Sequence, residues 1–206
     1  MSLRNVSPSA AAMDVEMAQA DSGAASGRNL PNAVDLAEAQ QGNAIAFARL
    51  VRAQQAHVFS VALRLTGNRE DAEELAQDAF VKLHSALTQL SSPAHALHWL
   101  LRTITHRCID RLRSRGRRPR LVQIDADNEP AASDAAADPL WARRLRSLLL
   151  QLPPVPRAVV TLRFQMDLEL AEIAGVLDMP VNTVKSHLHR SVEWLRAQHA
   201  GDGHGI

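Results

Sequence analysis

Cysteine is almost missing from this chain of 206 residues: Cys108 stands alone. A single thiol excludes an internal disulfide and fits a reducing compartment, so a cytoplasmic location is expected. Long apolar runs are missing as well. Nowhere do eighteen consecutive apolar residues occur, and no membrane insertion is expected. Residues 1–30, rich in Ala, Ser, Asn and Gly, hold neither a signal-peptide core nor a periodic apolar face, so they are expected to be disordered rather than a cleaved leader. Metal-ligand sets are absent too: His95 and His98 lie three apart, but no third ligand follows at a firm spacing. No cofactor and no enzyme activity are expected on that ground. Cys108, set among helix-forming residues, reads as a small buried side chain, with a redox sensor as the alternative.

What is present is charge, unevenly placed. The formal net charge of +1 conceals a stripe over 102–120 in which eight arginines oppose Asp110 alone, a local charge of +7. The following stretch, 121–139, carries Asp125, Asp127, Glu129, Asp134 and Asp138 without one Lys or Arg. Such a segment buries little and is expected to be a solvated tether. A second reading, in which its acids lie on the arginine stripe when DNA is absent, stays open.

The remainder is patterned as helix, and the fold class expected is all-α: two small helical domains joined by a flexible acidic linker. Phe47, Leu50, Val51, Val58, Val61, Ala62 and Leu65 recur at three and four residues, and Gly67 supplies a stop. Ala72, Leu75, Ala76, Ala79, Phe80, Leu83 and Leu87 form a second stripe, whose other face carries Glu73, Glu74, Gln77, Asp78 and Lys82. That polar face suits a protein partner, and it is also what any solvated amphipathic helix shows. After the break at Pro93, a third long helix runs from about His98 into the arginine cluster. Arginines along a helix pair with phosphates and release counterions. A solubilising cap favoured by the helix dipole has the same composition.

Beyond the linker, Leu140, Trp141, Leu145, Leu148, Leu149 and Leu152 predict a helix ended by Pro153-Pro154. Pro156 opens another, with Val159, Val160, Leu162 and Phe164 on its apolar face. A helix over about 168–177 turns Leu170, Ile173, Ala174 and Leu177 inward. A tight turn through Asp178 and Met179 then leads to a last helix burying Val184, Leu188, Ser191 and Leu195. The expected geometry is a helix-turn-helix. Its outer face presents Asn182, Lys185, Ser186, His189 and Arg190, which carry the donors that base edges and phosphates accept. An unrelated helical hairpin with a polar outer face fits the same pattern.

Taken in order, Asp71-Ala72-Glu73-Glu74-Leu75-Ala76-Gln77-Asp78-Ala79-Phe80, Trp99-Leu100, Asp110, Arg113, Leu152-Pro153-Pro154 with Arg157, Glu172-Ile173-Ala174 and Thr183-Val184-Lys185-Ser186 resemble the extracytoplasmic-function group of bacterial RNA polymerase sigma factors. The resemblance covers about residues 33–199. It implies core RNA polymerase as partner, with Glu74, Gln77, Asp78 and Phe80 docking on the clamp helices of the largest subunit. It further implies promoter DNA as partner, the minus-ten strand being read by Arg102, Thr105, His106 and Arg113, and the minus-thirty-five duplex by Asn182, Lys185, Ser186, His189 and Arg190. An anti-sigma factor is a further implied partner. The implied organisation is a disordered extension over 1–30, sigma domain 2 over 31–118, a flexible linker over 119–138, sigma domain 4 over 139–200 and a disordered tail over 201–206.

Some positions depart from the family pattern. Thr105 and His106 stand where Ala and Asn are usual, His187 where Arg is frequent, and Asp178 where the turn usually has Gly. Asp tolerates left-handed backbone better than most residues, so the turn is expected to survive. Thr183-Val184-Lys185-Ser186-His187-Leu188 also resembles the recognition helix of quorum-sensing-type regulators, which would need a sensor or receiver domain with strands upstream.

Overall fold

The structure, a computed structural model, describes residues 30–116 and 139–201. Among them are eight α-helices, one short 3-10 turn and no strand. The helices are α1 (Ala33–Gln40), α2 (Ala44–Thr66), α3 (Arg69–Ala86), α4 (Pro93–Gly116), α5 (Pro139–Gln151), α6 (Pro154–Gln165), α7 (Leu170–Leu177) and α8 (Val181–Gly201). The acidic linker, the N-terminal extension and the tail after 201 lie outside the described residues.

Asparagine starts the first three helices. The side chains of Asn32, Asn43 and Asn68 accept from the backbone N–H of Val34, of Ile45 and Ala46, and of Asp71. Each satisfies donors that have no partner within the helix. Proline opens α4, α5 and α6, where its missing N–H costs nothing and its φ is already helical. Pro93, expected as a break, is therefore also a start, and α6 begins at Pro154, two residues before Pro156. The short α1 was not separately expected; Arg49 of α2 ties it down by pairing with Asp35 at 2.6 Å and Glu38 at 2.9 Å.

Gly67 ends α2 in left-handed backbone at φ 68°, its N–H bonding Leu63 O at 2.8 Å. A Cβ there would also lie 2.7 Å from Leu150 Cδ2 of α5. One glycine thus both stops a helix and admits a side chain from the other half of the chain.

That contact belongs to a broad junction between the halves. Leu50, Val58, Leu65, Leu100, Leu101 and Ile104 share one apolar cluster with Val159, Leu162, Ile173, Val176 and Val184. A smaller cluster of Leu149, Leu152 and Val160 holds α5, α6 and α8 together, with Leu145, Leu188, Trp194 and Leu195 against it. Two residues assigned to apolar faces are instead exposed, Leu140 at 73% and Phe164 at 68%. Periodicity alone placed them inward; Leu140 sits on the first turn of α5 and Phe164 on the last turn of α6.

Candidate partner and nucleic-acid interfaces

The polar face of α3 does not stand free; α4 reaches across to it. Arg111 grips Glu74 with two hydrogen bonds, at 2.6 and 3.0 Å, and donates to Asp71 at 2.7 Å. Arg115 pairs with the same Asp71, which is buried, and Arg107 donates to Asp78 at 3.1 Å. Hydrogen bonding from Arg111, and then its charge, holds the Glu74 carboxyl below the usual carboxylate range. Three arginines of the +7 stripe are therefore already answered by acids of the neighbouring helix.

Gln77 is exposed, and Glu74 and Asp78 keep about half their side-chain surface in water despite their partners. Phe80 is half-buried and packs against the core. Val81, four residues beyond Gln77 and so on the same side of α3, is 69% exposed. Sequence reasoning passed over Val81; its i+4 spacing from Gln77 was the available signal.

The four expected strand contacts on α4 separate into three environments. Arg102 donates to Gly175 O of α7 at 2.9 Å and pairs with the Asp178 carboxylate. His106 Nε2 lies 3.0 Å from Val176 O, to which it donates. Thr105 has no exposed surface, so in this arrangement it cannot touch a nucleic acid. Arg113 is exposed, with Asp110 a distant neighbour at 4.0 Å.

The outer face of α8 is open. Asn182, Lys185, Ser186, His189 and Arg190 are all exposed, while Val184 and Ser191 are buried beneath them. Ser186 Oγ donates back to Asn182 O at 2.8 Å, and His189 Nε2 lies 3.3 Å from Glu193. The turn before this helix is set by Asp178, in left-handed backbone at φ 57°, and Val184 N bonds Pro180 O at 3.1 Å to begin α8. The backbone therefore meets the expectation that Asp sustains this turn.

Arg157 was quoted only as part of a motif, and the structure supplies its work. Its buried guanidinium donates to Leu150 O and Leu152 O at the end of α5, at 2.6 and 2.8 Å, and to Leu65 O at the end of α2. One cation so caps two helix C-termini, where carbonyls lack internal partners and the dipole favours positive charge. Burial lowers the Arg157 pKa from its ordinary value. Gln165 Nε2 adds a further link between the halves, donating to Ser60 Oγ at 2.5 Å.

His95 and His98 do not form a joint site. His95 Nδ1 accepts from Ser91 N at 3.2 Å, whereas His98 packs against α7 with its Nδ1 buried and unpartnered. No group of three or more potential metal ligands occurs among the described residues. Burial pushes the Cys108 thiol up to about 12, with Asp71 adding to the shift, which leaves almost no thiolate at neutral pH and does not suit a redox sensor. No helix among the described residues is long and apolar enough to cross a membrane.

Comparison with known proteins adds two family matches in order along the chain. Residues 50–118 match the family described as Sigma-70 region 2, and residues 142–195 match Sigma-70, region 4. The ECF RNA polymerase sigma-E factor of Escherichia coli K12 is 31% identical over 166 residues, covering 75% of this chain and 86% of that protein. The ECF RNA polymerase sigma factor SigW of Bacillus subtilis is 29% identical over 176 residues, covering 78% and 92%. Among solved structures, the sigma factor RpoE of Bartonella quintana, in complex with the anti-sigma factor NepR, superposes with a TM-score of 0.61 at 18% identity. That superposition covers 73% of this chain and 94% of the other, and it shows the shared fold.

Proposed function

Since the chain belongs to the extracytoplasmic-function group of bacterial RNA polymerase sigma factors, we propose a division of labour among its surfaces. The protein is an alternative sigma factor: it binds core RNA polymerase and directs promoter-specific initiation. The observation that carries this function is the ordered match of region 2 over 50–118 and region 4 over 142–195, each on helices. The match of the upstream half to region 2, on helices alone, does not favour the quorum-sensing-type regulator.

The units are sigma domain 2 over 31–118 and sigma domain 4 over 139–200, with 119–138 as the linker between them. Glu74, Gln77 and Asp78, joined by exposed Val81, dock on the clamp helices of the polymerase largest subunit. Phe80 supports that face from the core side. Arg102, His106 and Arg113 contact the minus-ten strand, and Thr105 reaches it only if α4 loses its cover. Asn182, Lys185, Ser186, His189 and Arg190 read the minus-thirty-five element, the exposed donors at the start of α8 being placed for the major groove.

Bond-forming chemistry belongs to the polymerase, and the sigma factor acts beside it in the cytoplasm without a cofactor. A sigma factor of this fold is seen in complex with an anti-sigma factor, and a comparable antagonist is proposed here. The direct test is transcription in vitro from a promoter library with purified core polymerase. Transcripts that start at a common sequence pair are expected only when this protein is added. Core polymerase that responds to another sigma factor but yields no promoter-dependent transcript with this one would refute the assignment.

A further inference from the structure

A cleft of about 400 Å³ opens where the junction of α5 and α6 faces the middle of α8. Leu152, Pro153 and Pro156 form an apolar wall on one side, and α8 supplies the Trp194 ring. The polar edge also comes from α8, as His187, Arg190 and Ser191. Among the described residues these three side chains have no hydrogen-bond or ion-pair partner. Gln151, the remaining lining residue, donates its amide to Ser147 O at 3.5 Å. No acid lines the cleft.

A guanidinium, an imidazole and a hydroxyl without a carboxylate among them favour an anion, most strongly through charge-assisted hydrogen bonds. The first turn of α6, which starts at Pro154 without a side-chain cap, adds the positive end of its dipole to the same field. The Trp194 face and the proline wall favour a flat ring. The volume falls in the range of small-molecule sites.

The position of the cleft on α8 gives it a consequence for DNA. At about 100° per residue, Asn182, Lys185, Ser186 and His189 share one side of the helix, and His187, Ser191 and Trp194 share another. Arg190 falls between the two, exposed and within reach of both.

We propose that this cleft binds a small aromatic carboxylate, its charge held by Arg190 with His187 and Ser191 donating beside it, and its ring set between Trp194 and the proline wall. A bound ligand draws Arg190 away from the outer face of α8 and weakens recognition of the minus-thirty-five element. That consequence rests on the reading that Arg190 contacts the element; the site itself does not.

The test uses the full chain with isotope-labelled tryptophan and naphthoate as the probe, with neutral naphthamide and inorganic phosphate as comparisons. The Trp194 indole resonance, assigned through Trp194→Phe, is expected to shift saturably with naphthoate while that of Trp99 stays. Arg190→Gln, at an exposed position, is expected to weaken naphthoate binding about ten-fold, and Arg190→Lys less. No shift at Trp194, or equal binding of naphthamide, overturns the anion site; phosphate acting as well as naphthoate overturns its aromatic half. Duplex DNA carrying the upstream element recovered from the promoter library supplies the second readout. Saturating naphthoate is expected to weaken duplex binding roughly two- to ten-fold in the wild type and to leave Arg190→Gln unaffected. If Arg190→Gln without ligand binds the duplex as the wild type does, Arg190 is not a contact of that element. If Arg190→Gln weakens duplex binding and naphthoate does not, the coupling between cleft and DNA is overturned and the site stands alone.

Discussion

The two surfaces proposed to meet DNA carry similar side chains in opposite circumstances. On α8, Asn182, Lys185, Ser186, His189 and Arg190 all face solvent. On α4, Arg102 and His106 are held by α7, while Arg107, Arg111 and Arg115 are held by acids of α3. A count of charges along the chain ranks α4 as the stronger DNA surface, but a count of unengaged donors ranks α8 first. Local charge measures what a helix can bind, and the fold decides what it has already bound.

The largest effect that could break this contrast lies at Arg157, which ties α2 to α5. Arg157→Ala leaves Leu65 O, Leu150 O and Leu152 O without their cation, and a loss of about 2–4 kcal/mol is expected from buried charge-assisted hydrogen bonds. Urea unfolding measures it. A loss under about 0.5 kcal/mol would mean that the junction between the halves does not depend on this cap.

Next comes the docking face. Reversing Glu74 and Asp78 to Lys is expected to weaken assembly with core polymerase by roughly ten-fold and to reduce its salt dependence. Because Glu74 also pairs with Arg111, the swap of Glu74→Arg with Arg111→Glu is the necessary control. It restores the pair between positions 74 and 111 while leaving the outward charge changed, and Arg111→Glu alone measures the cost of losing the bond to buried Asp71. Recovery of polymerase binding by the swap would assign Glu74 to holding α4 in place rather than to docking.

The contrast between open and covered readers sharpens at the promoter. Lys185→Ala and Asn182→Ala are each expected to cost roughly 1–3 kcal/mol on templates that need the upstream element. Arg102→Ala and His106→Ala are expected to impair strand opening instead, seen by permanganate footprinting. Normal footprints in the Arg102/His106 double variant would leave α8 as the only DNA reader of the pair.

Acidification is expected to produce the smallest effect. His98 is kept neutral first by burial and then by the charges of Arg102 and His95, with Glu172 acting in the opposite sense, so its folded pKa lies below the ordinary value near 6.5. A base with a depressed folded pKa binds fewer protons when folded, so stability rises with pH and is lost as pH falls below about 6.5. Energy transfer across the α4–α7 contact is thus expected to decrease between pH 7.5 and 5.5, and His98→Gln to flatten that decrease. An equal pH response in both proteins would place the titration elsewhere.

Much of this molecule was legible along the chain. The apolar periods placed α2, α3 and α4, Gly67 and the prolines placed stops and starts, and the small and apolar residues around Asp178 placed the helix-turn-helix. The faces were less legible where helices end: Leu140 and Phe164 continue an apolar pattern yet lie exposed on terminal turns. Phe80 and Val81 divide between core and solvent by a rotation of one residue, which a stripe about 100° wide does not resolve.

What the sequence determined by itself is what depends on near neighbours: helices, caps, turns, and the ordered motifs that mark a sigma factor. What only the tertiary structure decided is which charges remain available. Arg102 meets Gly175 and Asp178 more than seventy residues away, and Arg157 meets Leu65 ninety-two residues away. No period or spacing encodes such a pairing, because it arises from two helices that share an apolar cluster and bring their polar edges together only after packing. Of the two surfaces proposed to face DNA, α4 is consequently the one whose described arginines are mostly engaged by neighbouring helices.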